Sequence, residues 1–172
     1  PHSNRALSPQ TAYIMTQLLR RVVTSGTGGQ ANLSTGVFAG GKTGTTDDNK
    51  DKWFMGFTPN YVCGIWHGYD KNSVVASNTS GSQIAFRMVM DKVHSQKKTR
   101  SISVPDGIIM LSVCKDTGLL ASEGCEGITL PFTEKNAPDE YCEHISEEAV
   151  LGEDGEVVDI DTSEDIVIDP AA

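Results

Sequence analysis

The chain has 172 residues, 38% of them hydrophobic and 22% charged, with a formal net charge of −9. This is the composition of a globular protein with one medium domain, or a domain fragment with a smaller appendage. The acidity is local. Glu143 to Ala172 holds eleven Asp or Glu and no Lys or Arg, which leaves 14 basic against 12 acidic residues elsewhere. No basic patch of the kind that nucleic-acid binding requires is present, and no apolar run approaches the roughly 18 residues of a membrane span. No signal peptide is visible. With Pro1 in first place, the chain is expected to be a processed or excised piece whose export signal or anchor lies upstream.

Residues 8 to 25 read as a helix, with Ser8 as N-cap, Pro9 at the first helical position and Gly26 as the stop. Ala12, Met15, Leu18, Leu19, Val22 and Val23 recur at helical spacing as its apolar face, and Arg20 and Arg21 suit the dipole at its end. Thr27 to Gly36 reads as a loop. Strand character begins at Val37-Phe38 and runs through Lys42-Thr43-Gly44, and Asp47 to Lys52 is a polar turn, too hydrophilic for a core. Trp53 to Thr58 and Tyr61 to Tyr69, joined by Pro59-Asn60, form a hairpin. Ser82 to about Lys97 returns to helical spacing through Ala85, Met88, Val89, Lys92 and Val93, with Ser82 as cap.

These elements predict an α+β fold in which helices cover an antiparallel sheet over residues 1–97. Lys97 to Pro105 reads as a linker. Beyond it comes a small, loop-rich β unit at 98–145, with a strand at Ile108–Cys114 and a turn at Lys115–Gly118. The acidic tail at 146–172 is expected to be solvated and without fixed structure.

Gly36 to Thr43 satisfies G-x-x-x-x-G-K-[ST], the phosphate-binding loop pattern. That pattern needs an apolar strand before it and a helix after it, so that amides at the helix start face the phosphates. Polar residues precede it here, and Gly44-Thr45-Thr46-Asp47-Asp48-Asn49 is a poor helix former. The alternative is a strand at the edge of a cleft. Gly44 removes the side chain that would keep an extended peptide from the backbone. Lys42 supplies a fixed cation, and the hydroxyls of Thr43 and Thr45 can donate to a carboxylate. The backbone N–H of Thr45 is placed to be half of an oxyanion hole. The candidate site is Lys42, Thr43, Gly44, Thr45 and Thr46, with Thr45 N–H as the candidate catalytic donor; the alternative is an ordinary exposed strand with Lys and Thr on its solvent side.

The stretch from Met15 to Asp70 resembles the transpeptidase domain of bifunctional (class A) penicillin-binding proteins. The matching pieces are Leu18 to Val23 with Ser25-Gly26-Thr27-Gly28, then Ala39 to Thr46, Asp51 to Tyr61 and Gly64 to Asp70. The resemblance implies a five-stranded sheet packed by helices and an acyl-serine D,D-transpeptidase that cross-links peptidoglycan stem peptides and is acylated by β-lactams. It also implies an extracytoplasmic location at a bacterial membrane and no cofactor. Pro105 to Cys142 looks like the small module that follows this domain in some class A enzymes.

The family's nucleophile motif S-x-x-K and its S-x-N motif do not occur before Lys42. Ser95-Gln96-Lys97-Lys98 and Ser112-Val113-Cys114-Lys115 come after it, in the wrong order, and are read as chance. The expected partner is an upstream segment that carries both motifs. Alone, the chain is expected to be catalytically silent. The competing readings are a non-catalytic module that binds peptide termini or wall polymer, and part of a β-lactamase or D,D-carboxypeptidase.

Cys63, in a strand, reads as a small buried hydrophobe. Cys114, Cys125 and Cys142 fall in the small unit, whose sparse core would gain from a staple. A disulfide between Cys125 and Cys142 is expected first, with Cys114 as an alternative partner. Cys114, Cys125, Cys142 and His144 also form a Cys₃His set, but close C-x₂₋₄-C pairing is missing and no metal site is assigned. His67 reads as structural, and His2 and His94 have no partner in view.

Overall fold

The computed structural model describes residues 5–71, 73–76, 80–95 and 99–143, so the tail at 146–172, His2 and His144 lie outside the described residues. The chain forms two compact units, residues 1–109 and 110–172. The fold class is α+β.

In the first unit, α1 spans Pro9–Ser25 and begins as the sequence predicts, with Ser8 Oγ accepting from Thr11 N–H at 3.1 Å. Its apolar face is less covered than the spacing predicts. Val23 is buried, but Met15 and Leu18 face solvent. Arg20 does not serve the helix end. Its guanidinium lies 4.6 Å from the centre of the Phe38 ring, a cation–π contact.

The segment read as a surface loop also does more than connect. It contains a turn of 3₁₀-helix at Gly29–Ala31, and Ala31 and Leu33 are buried in the core. Asp91 of the second helix holds the next two residues down, accepting from Ser34 N–H, Thr35 N–H and Thr35 Oγ1, each at 3.2 Å.

Three strands follow as an antiparallel meander in the order β1-β2-β3: β1 Gly40–Thr45, β2 Asp51–Phe57 and β3 Val62–Gly68. The first strand starts at Gly40, later than Val37, and Phe38 lies just before it under the Arg20 guanidinium. Lys42 pairs with Met55, Thr43 with Phe54, Gly44 with Trp53 and Trp53 with Trp66. Cross-strand partners share a face. Phe54 and Gly56 face inward, while Lys42, Trp53, Met55 and Trp66 face out.

Lys52 departs from the polar-turn expectation. It belongs to β2, is buried, and donates to Ala76 C=O at 2.6 Å, which satisfies a charge the sequence alone would leave in solvent.

The second helix, α2, spans Gly81–His94 and covers the inner face of the sheet. Its buried stripe is Ser82, Phe86, Met90 and His94, four residues spaced by four, rather than the stripe through Met88 and Val89, which are exposed. Phe86 decides this rotation: its ring meets Phe54 edge-on at 4.9 Å, and both are fully buried. Ser80, not Ser82, is the N-cap, because Ser82 is committed to the buried face. His94 does have partners: Nε2 lies 3.0 Å from Thr58 Oγ1, and the ring packs against Tyr61. The core therefore gathers Val23 from α1, Ala31, Leu33 and Ala39 from the connecting segment, Phe54 from the sheet, and Phe86 with Met90 from α2.

A second sheet pairs β4, Ile108–Cys114, with β5, Gly127–Thr133. The first was legible in sequence. The second was not, because Pro131 argues against an interior strand; in a two-stranded sheet each strand has a free edge for it. In the second unit, Leu120 bridges to Val113 and to Tyr141, drawing three segments together around buried Val113, Cys114 and Cys142.

Candidate functional site

The outer edge of β1 is paired with no strand among the described residues. Its geometry follows from one turn. Thr46 N–H donates to Asp51 C=O at 3.1 Å, which makes Thr46 and Asp51 a hydrogen-bonded antiparallel pair. Such pairs alternate with non-bonded ones. Gly44 and Lys42 therefore turn their backbone groups toward β2, and Thr45 and Thr43 turn theirs to the outer edge. Thr45 N–H and Thr43 C=O both face the side where an added strand or an acyl group would lie.

Lys42 is exposed, and its Nζ donates to Thr43 C=O at 3.1 Å and to Thr43 Oγ1 at 3.3 Å. Thr27 Oγ1 lies 3.2 Å from Thr43 Oγ1. An ammonium, two hydroxyls and an outward N–H thus occupy a few ångströms of one edge. That arrangement can bind a carboxylate through the cation and hydroxyls while an amide polarises a neighbouring carbonyl. Thr27 was not singled out from sequence. Its signal was its place in Ser25-Gly26-Thr27-Gly28, directly after α1.

The five assigned residues do not behave alike. Lys42, Thr43, Gly44 and Thr45 share the edge. Thr46 instead spends its hydroxyl on the turn, accepting from Lys50 N–H at 3.2 Å and Asp51 N–H at 3.0 Å. Asp51 in turn accepts from Trp66 Nε1–H at 2.8 Å, tying the turn to β3. No helix follows Lys42-Thr43, so the phosphate-loop geometry is not formed.

Neither late S-x-x-K string contributes a residue to β1. Ser95 ends α2 and donates to Lys92 C=O at 2.9 Å, and Lys115 pairs with Glu126 within the second unit. His67 lies on β3, two strands from the open edge, opposite Lys52.

Cys63 is half-buried and packs against the core cluster. The other three cysteines meet: the sulfurs of Cys114, Cys125 and Cys142 all lie within 4.8 Å of one another. All are thiols. The expected Cys125–Cys142 pair is thus not set apart, because the bridges of Leu120 deliver Cys114 to the same point.

Several comparisons bear on the chain as a whole. The family model described as the penicillin binding protein transpeptidase domain matches residues 1–94, and that of the penicillin-binding protein 1A C-terminal domain matches 104–147. Penicillin-binding protein 1A of Aquifex aeolicus is 32% identical over 155 residues, which is 88% of this chain and 21% of that protein. Penicillin-binding protein 1A of Clostridium perfringens is 34% identical over 153 residues, 84% of this chain and 18% of the relative. The crystal structure of penicillin-binding protein 1A from Haemophilus influenzae superimposes with a TM-score of 0.69 at 26% identity, covering 82% of this chain and 22% of that one. The chain spans about a fifth of the length of the curated relatives it matches. Sequence and fold agree, and the chain belongs to the penicillin-binding protein transpeptidase family.

Proposed function

We propose that the chain supplies the substrate-binding wall of a serine-type D,D-transpeptidase that cross-links peptidoglycan stem peptides and is acylated by β-lactams. The observation that carries this reading is the open edge of β1, where Lys42, the hydroxyls of Thr43 and Thr27, and the outward N–H of Thr45 stand together. Lys42 and the hydroxyls hold the substrate's terminal carboxylate. Gly44 lets the extended peptide lie against the strand. As the serine attacks, charge develops on the carbonyl oxygen, and Thr45 N–H donates to it; one such donor contributes about 10²–10³ in rate. Thr46 keeps the edge in register by holding the turn.

The serine and its lysine come from an upstream segment bearing S-x-x-K and S-x-N. A second observation favours such a partner. Trp53, Met55, Val62 and Trp66 are 42–78% exposed and lie on the sheet or its margin, an apolar surface that a monomer rarely leaves bare. The upstream segment covers it and adds strands beside β3, which leaves the β1 edge to face the cleft. The same segment anchors the protein, so that the site works on the extracytoplasmic side of a bacterial membrane.

Fluorescent penicillin tests the reading. The chain alone should take up no label, and mixing it with the upstream segment should restore labelling. Lys42→Ala should lower the labelling rate of that mixture by at least about tenfold, the scale of one lost charged contact. Partners that co-fold yet take up no label would favour a non-catalytic module instead.

A further inference from the structure

Among its described residues the second unit has few buried apolar side chains and three sulfurs that meet. Cys114 closes β4, Cys125 lies in the turn after Ser122, and Cys142 follows the Leu120–Tyr141 bridge, held by Cys142 N–H donating to Leu120 C=O at 2.9 Å. Cys114 and Cys142 are buried. Nothing in the proposed transpeptidase chemistry uses these residues.

We propose that Cys114, Cys125 and Cys142 bind one zinc ion through their sulfurs. Tetrahedral Zn–S bonds of about 2.3 Å set neighbouring sulfurs about 3.8 Å apart. Sulfurs already within 4.8 Å of one another need move by no more than about an ångström. Sulfur ligands select zinc over the hard cations that oxygen donors hold.

Outer contacts support the same reading. The backbone N–H groups of Asp116 and Thr117 each donate to Cys114 Sγ at 3.4 Å. Ser122 does the same for Cys142, with its N–H at 3.4 Å and its Oγ at 3.2 Å from Sγ. Amides aimed at sulfur stabilise thiolate over thiol and orient it for a metal.

Along the sequence no close C-x₂₋₄-C pair occurs. The fold supplies that proximity by bringing three separate segments to one point. Each thiol releases its proton to solvent on binding, so three thiolates and Zn²⁺ carry a net charge of −1, and a fourth position takes water or another donor. His144 lies outside the described residues, and the assignment rests on the three sulfurs. An odd number of sulfurs also suits an ion better than a disulfide, which would strand one thiol at the centre of the unit.

The test uses the 172-residue chain, reduced, dialysed against zinc and measured for metal content. One zinc per chain is expected, and zinc should raise the melting temperature of the second unit. Losing an outer hydrogen-bond partner costs about 10–100-fold in metal affinity. Ser122→Ala should therefore weaken zinc binding about tenfold, and Cys142→Ser by more than about 100-fold, while Cys63→Ser leaves it unchanged. Cobalt titration of the unaltered chain guards against variants that fail to fold: intense visible bands of tetrahedral thiolate-bound cobalt are expected. Absence of those bands, or a Cys125–Cys142 disulfide that persists in the zinc-treated chain, overturns the proposal.

Discussion

Glycine stands at positions 41 and 44 of the same strand for different physical reasons. A Cβ at Gly41 would fall 2.7 Å from Met55 backbone oxygen and 2.9 Å from Gly56 Cα, atoms that cannot swing aside. A Cβ at Gly44 would meet only Trp53 Cβ, at an ordinary 3.4 Å. Gly41 thus serves packing, whereas the fold itself makes no such demand at Gly44. Gly41→Ala should destabilise the unit by about 1–3 kcal/mol, measured by denaturant unfolding. Gly44→Ala should change stability by less than about 1 kcal/mol. In a complex with the proposed upstream partner it should nonetheless slow penicillin labelling, because the added methyl would stand on the strand proposed to receive the ligand. Equal effects of the two variants on stability would remove the argument for a cleft at this strand.

At the scale of elements, the connection between α1 and β1 is held to α2 by one carboxylate. Burial pushes Asp91 up, but the amides and hydroxyl of Thr35 and the amide of Ser34 outweigh it, and the net shift is downward. A carboxyl whose folded pKa is depressed contributes stability above its unfolded value of about 3.9, and that contribution is lost as pH falls through the folded pKa. The loop carrying Ala31 and Leu33 should therefore loosen in acid, below about pH 4, as hydrogen exchange at Ser34 and Thr35 would show. Asp91→Asn should remove that acid dependence and cost about 1 kcal/mol at neutral pH, since the site is partly open to solvent.

At the scale of the molecule, the first unit has one covered sheet face and one bare one. α2 seals Phe54 under Phe86 and Met90, while Trp53, Met55 and Trp66 remain exposed. Such a surface should bind the dye ANS in the isolated chain. Adding the upstream transpeptidase segment should quench most of that fluorescence and raise the melting temperature, as any ligand of the native state alone must. Dye binding that is unchanged in a mixture that does take up penicillin would show that the bare face is not where the partner docks.

Local chemistry carried much of this structure in the sequence. Ser8-Pro9 start a helix by capping and fixed φ, β-branched and aromatic runs mark β2, β3 and β4, and the segment through Lys42-Thr43-Gly44 reads as a strand. What the sequence left undetermined depended on contacts between distant segments. Which stripe of α2 turns inward was decided by Phe86 meeting Phe54, the burial of Lys52 by the carbonyl of Ala76, and the partner of His94 by Thr58 in the turn between β2 and β3. The outward direction of Thr45 N–H needed the register of β1 against β2, since a slip of one residue would turn it inward. The meeting of Cys114, Cys125 and Cys142 likewise needed the bridges of Leu120, because spacing along the chain carries no information about distances that the chain closes only by folding.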